Sequence, residues 1–169
     1  SRQHIYINSQ HNMKQHQLKN SLLRGVLCLL LCIVGIGNAW GEEVTLSYSN
    51  VEGLGKSGGG AGFEYTIAPI TFSFSNAYGH PSDKHIRVYG SSSITFSGAT
   101  ITKIVITATS STYIKTWSDG TDKITVSEEK ATWKGSANSV TLKNTASNQA
   151  RIKTIAVTYE KDANAPTAE

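Results

Sequence analysis

Ile70-Thr71-Phe72-Ser73-Phe74 alternates large apolar side chains with small hydroxyls. Successive side chains of an extended chain point to opposite sides, so this stretch has one greasy and one wet face, as a half-buried β-strand does. The same beat runs outward in both directions. Val44, Leu46 and Tyr48 share a phase, as do Ile86 and Val88, Ile94 and Phe96, and Ile104, Ile106 and Ala108. Ile124 and Val126, Val140 and Leu142, and Ile155, Val157 and Tyr159 complete the series. Ser and Thr fill 35 of the 128 positions from Glu42 on, supplying the wet face expected of antiparallel sheets with one solvated side. No window after Glu42 carries a helical period. About eight to eleven short strands separated by Gly, Ser, Asn and Asp predict an all-β domain, an antiparallel β-sandwich or a jelly-roll-like barrel, over residues 42–160.

Local punctuation refines this. Ser118-Asp119-Gly120-Thr121 lies between two strand-like runs and predicts a hairpin turn. Gly90-Ser91-Ser92 and Ser97-Gly98-Ala99 bracket the Ile94 strand, and Gly53–Gly62 is a glycine-rich loop. In Ile152-Lys153-Thr154-Ile155 the apolar phase slips by one residue; a β-bulge near Lys153-Thr154 would return both isoleucines to the core, the alternative being that Ile152 packs on a second surface.

The first 41 residues are of another kind. Residues 1–12 precede the first methionine, Met13, and are expected to be upstream translation. From Met13 a basic segment leads into an apolar run and ends at Gly37-Asn38-Ala39-Trp40-Gly41, the layout of a helical signal peptide over residues 13–41. Ala39 and Gly41 fit the small-x-small rule, which predicts cleavage between Gly41 and Glu42. The apolar run Val26–Ile36 covers only about 16 Å of helix, against roughly 30 Å of hydrocarbon, so no stable membrane span is expected after cleavage. The expected location is secreted or cell-surface. Residues 161–169 read as a flexible tail or linker.

Charge and cysteine content then exclude several functions. The net charge of +4 belongs to the leader, because 12 Lys/Arg and 12 Asp/Glu lie from Glu42 onward. A neutral domain lacks the basic footprint of a nucleic-acid binder. Cys28 and Cys32 both sit in the apolar run, so the mature domain has neither a thiol nucleophile nor a disulfide. No Gly-x-Ser-x-Gly elbow occurs, and His80 and His85 are its only histidines. A non-catalytic domain that takes no cofactor is expected. Gly55-Lys56-Ser57 imitates the end of a phosphate loop, but position 50 is Asn and three glycines follow where a helix should start.

Three groups remain. His80, Asp83 and His85 form the most metal-like segment, since two imidazoles and a carboxylate suit zinc or copper. A solvated turn with Pro81 and Ser82 explains them as well. Asp119 and Asp122 fall short of the six to eight oxygens calcium takes. Trp117, Tyr113 and Trp133 are the aromatics most open to stacking on sugar rings, Trp117 being the better surface candidate and Trp133 the more core-like.

The order His85-Ile86-Arg87-Val88-Tyr89-Gly90, Ser93-Ile94-Thr95-Phe96, Ile101-Thr102-Lys103-Ile104, Thr132-Trp133-Lys134-Gly135, Ser139-Val140-Thr141-Leu142 and Arg151–Tyr159 resembles an uncharacterised β-sandwich module that recurs in secreted and surface proteins of bacteria. The resemblance covers under half of the chain. It implies an accessory domain, often repeated, with no catalytic residues to carry over. The expected function is an exported binding or adhesion module for a glycan or cell-surface polymer. A structural spacer in a larger surface protein is the alternative, and a small metal-dependent enzyme at His80, Asp83 and His85 a third.

Overall fold

The structure, a computed structural model, describes residues 41–161. The signal peptide of residues 13–41, apart from Gly41, and the tail beyond Lys161 lie outside the described residues. Ten antiparallel strands form one sheet: β1 (Glu42–Ser47), β2 (Phe63–Ile67), β3 (Ile70–Phe74), β4 (Ala77–His80), β5 (His85–Val88), β6 (Ser93–Ala108), β7 (Trp117–Ser118), β8 (Ile124–Ser127), β9 (Lys130–Asn144) and β10 (Ala150–Tyr159). Two single turns of 3-10 helix, Tyr48–Asn50 and Ser111–Tyr113, are the only helical elements among the described residues. The all-β expectation holds.

The three long strands make the sheet curl into a nearly closed barrel. The first half of β6 runs between β3 and β9, and its second half between β10 and β9. Along its other edge β10 meets β5 with Ala150–Ile152 and β1 with Thr154–Tyr159. Each long strand thus belongs to two differently oriented parts of the sheet, and its inner side chains fill one core. Phe72 and Phe96 meet edge to face at the centre, 5.7 Å between ring centroids. The alternation read from the sequence is the burial pattern observed: Ile70, Phe72 and Phe74 are buried and Thr71 and Ser73 face outward.

The bulge is present. Ile152 lies opposite Ala108 and Thr154 opposite Thr107, so Lys153 is the extra residue, and Ile152 and Ile155 are both 0% exposed. Two turn readings are corrected. Ser97-Gly98-Ala99 does not end a strand, because β6 continues through it. Gly98 adopts φ +109 and bends the strand, and a Cβ there would stand 2.0 Å from the Pro69 carbonyl oxygen. The turn at Ser118–Thr121 exists, but β7 and β8 do not pair with each other. Both pair with the same edge of β9, at Asn144-Lys143 and Trp133–Lys130 respectively.

Candidate functional site

Tyr78, Arg87 and Arg151 form one row across the outer face of β4, β5 and β10, since Tyr78 pairs with Arg87 and Arg87 with Arg151. Their neighbours Gly79, Ile86, Val88, Ala150 and Ile152 point inward and are buried, which puts this row outward by strand alternation. Two residue pairs along, His80 lies opposite His85 at the mouth of the β4–β5 hairpin. On the far side of Arg151, the 3-10 turn Ser111–Tyr113 lays the Tyr113 ring beneath the guanidinium, 5.4 Å from carbon to ring centroid. Pairing of β10 with β5 therefore brings Tyr113 and the His80, Asp83, His85 group onto one face, although the sequence presents them as unrelated candidates.

The hairpin group is held internally. Arg87 Nε donates to His85 Nε2 at 3.2 Å, His85 Nδ1 meets the Asp83 carbonyl oxygen at 3.2 Å, and Arg87 Nη2 bonds the Asp83 carboxylate at 2.8 Å. The Asp83 amide donates to His80 Nδ1 at 3.2 Å, and the two imidazoles stack with centroids 5.6 Å apart. With Nε2 accepting from Arg87, the proton of neutral His85 sits on Nδ1, facing the carbonyl. Neither nitrogen has a lone pair free for a metal, and the adjoining guanidinium repels a cation. Among the described residues no group of three or more His, Cys, Asp and Glu side chains is placed to hold a metal ion. The metal reading of His80, Asp83 and His85 is corrected accordingly. The solvated-turn reading needs correction too: Pro81–Lys84 is an exposed turn, but His85 is 2% exposed beneath it.

The electrostatics follow from this packing. The hydrogen bond from Arg87 holds the Asp83 carboxyl below its ordinary value. Burial pushes the His85 imidazole down, partly offset by the Asp83 carbonyl, and the charges of Arg87 and Arg151 push it further down. Unfolded, His85 titrates near 6.5. Below that pH the unfolded chain binds a proton that the folded one resists, so this group's contribution to stability is complete above 6.5 and is lost as pH falls toward the depressed folded value. Denaturation by urea between pH about 7.5 and about 5 is expected to show stability falling on acidification, and His85→Gln is expected to flatten that slope.

The tryptophans lie elsewhere in the packing. Trp117 is 5% exposed, its Nε1 donating to the Tyr113 carbonyl at 3.2 Å, and Trp133 is 3% exposed, its Nε1 donating to Asp119 at 2.9 Å. The surface role expected of Trp117 is corrected, because neither indole has a face left for a sugar. Tyr113 alone of the three stays half-buried at the surface. Asp119 is a structural clamp. Its carboxylate also accepts from the Thr121 amide at 2.8 Å and hydroxyl at 2.7 Å, which fixes the β7–β8 turn against β9. In the glycine loop, Gly58 N donates to Tyr89 Oη, Gly59 N to the Lys56 carbonyl and Gly60 N to Asn76 Oδ1, so these amides cannot cradle a phosphate.

Arg87, Arg151 and Tyr78 were missed by sequence reading. The signal would have been a strand register, which local alternation does not contain. A scan against protein-family models found no match, and a search of curated proteins found none either.

Proposed function

We propose that the chain is an exported, non-catalytic binding module that holds a glycan on the outer face of β4, β5 and β10. The observation that carries this is the Tyr78–Arg87–Arg151 row with Tyr113 beside it. Like charges directly opposite on neighbouring strands destabilise a sheet, so folding alone does not account for the two arginines. Guanidinium donors next to aromatic ring faces suit sugar hydroxyls and sugar rings. The non-catalytic reading is supported by the lack of cysteine after Glu42 and by the full commitment of His85 to its neighbours.

Residues 42–161 on a glycan array are expected to bind at least one polysaccharide class, and Tyr113→Ala to weaken that binding about tenfold, the scale of one lost aromatic contact. A blank across plant, host and bacterial polysaccharides would contradict the proposal. It would favour a spacer domain, which one observation supports independently: Leu54 at 37% and Val126 at 44% are the only exposed large hydrophobics among the described residues. A surface without an apolar patch is what a soluble spacer needs.

A further inference from the structure

We infer that the sugar unit recognised at this face carries a carboxylate, so that the ligand is an acidic glycan clamped by Arg151 and Arg87. The inference rests on the glycan reading above and adds the ligand's charge. It follows from the donors and charges of the row. Arg87 spends Nε on His85 and one Nη2 hydrogen on Asp83. A guanidinium has five N–H donors, which leaves three. Arg151 makes no ion pair with any acid among the described residues. Its neighbour Gln149, with its amide oxygen turned toward Arg151, accepts from Nε and Nη2 at 3.3 Å each, and three donors again remain. Against the two guanidiniums stands one carboxylate, Asp83, already bound to Arg87. The facing His85 is held neutral, and His80 lies behind it. The acid next to Lys153 of β10, Glu129 in the turn between β8 and β9, is taken by that lysine at 3.2 Å.

A half-buried cation pair with spare donors and one unpaired member is the electrostatic complement of an anion. The planar fork of a guanidinium matches a carboxylate with two parallel hydrogen bonds. His85 has a positioning part in this. As a neutral acceptor it fixes Arg87 Nε, while Asp83 holds Nη2, so the free edge of Arg87 is oriented before any ligand arrives. Arg151 is oriented likewise by Tyr113 and Gln149. A bound carboxylate would relieve the repulsion between the two arginines, so binding is expected to stabilise the fold as well.

Calorimetry of residues 42–161 with polygalacturonate, alginate and hyaluronan, and with methyl-esterified polygalacturonate as the uncharged counterpart, tests this. The result expected is binding to at least one acidic polymer, weakened by salt, with the esterified polymer at least tenfold weaker. Arg151→Gln is expected to lose about tenfold in affinity and Arg151→Lys to retain part of it. Lys134→Gln, farther along β9 and opposite Lys103, is expected to change nothing. Because Arg151→Gln also removes the Tyr113 contact, its melting temperature is to be matched to the parent's before its affinity is read. Where it is lowered, the salt dependence and the esterified polymer decide instead. Equal binding of charged and esterified polymer would overturn the carboxylate inference and leave the glycan proposal standing. Binding of no acidic polymer alongside a positive array for a neutral one would do the same, whereas no binding in either assay overturns both.

Discussion

Trp117→Ala is expected to destabilise the domain by about 4 kcal/mol, the usual cost of emptying an aromatic site in a core. Trp117 is the first residue of β7, paired with Asn144 of β9, and its ring is covered on all sides. Truncation removes its packing and leaves the Tyr113 carbonyl without its indole donor. That bond is one of those holding the 3-10 turn that carries Tyr113, so order at the proposed binding face should fall along with stability. Urea unfolding of parent and variant measures the change. A loss under about 0.5 kcal/mol, the usual range for surface substitutions, would mean the indole is exposed and would restore it as a sugar-stacking candidate.

Asn144→Ala comes next, at about 3 kcal/mol. Asn144 is fully buried at the end of β9. Its Nδ2 donates to the carbonyls of Asn148 at 2.9 Å, Val88 at 3.3 Å and Tyr89 at 3.4 Å, while Oδ1 accepts from Thr116 Oγ1 at 2.9 Å and the Ala146 amide at 3.2 Å. One side chain thereby ties the end of β5, the β9–β10 connection and the segment before β7 to one point. Alanine would strand buried carbonyls and a hydroxyl, and each such group costs about 1 kcal/mol or more when left unpaired. Asn144→Leu should be no better, because it restores volume without donors. The melting temperature is expected to fall by roughly 10 °C. An unchanged value would mean that water reaches these groups and that the clamp is not needed.

The strands were legible because burial in a sheet imposes a two-residue period on the local sequence. Ile70, Phe72 and Phe74 on one side and Thr71 and Ser73 on the other decide their own faces. The Lys153 bulge was legible for the same reason, since a phase slip between two isoleucines that both need burial has few solutions. Gly98 misled, because glycine marks a turn and a strand bend with the same letter, and only the approach of Pro69 distinguishes them. Trp117 misled because the surfaces that cover it come from β9 and from the turn before it, not from its immediate neighbours. The proposed binding face was illegible as a unit. Arg87 and Arg151 each look like an ordinary solvated strand residue, and they become a charged pair only through the register of β5 on β10.

The proposed ligand-binding face depends on that register for Tyr78, Arg87 and Arg151, and on the Ser111–Tyr113 turn for Tyr113. Nuclear magnetic resonance titration of residues 42–161 with an oligosaccharide of the acidic polymer that binds in calorimetry tests it most directly. Shift changes confined to these four residues and the adjoining His80 and Gln149 are the predicted result. Changes centred on the Thr95–Thr141 face of β6 and β9, or none at saturating oligosaccharide, would contradict it.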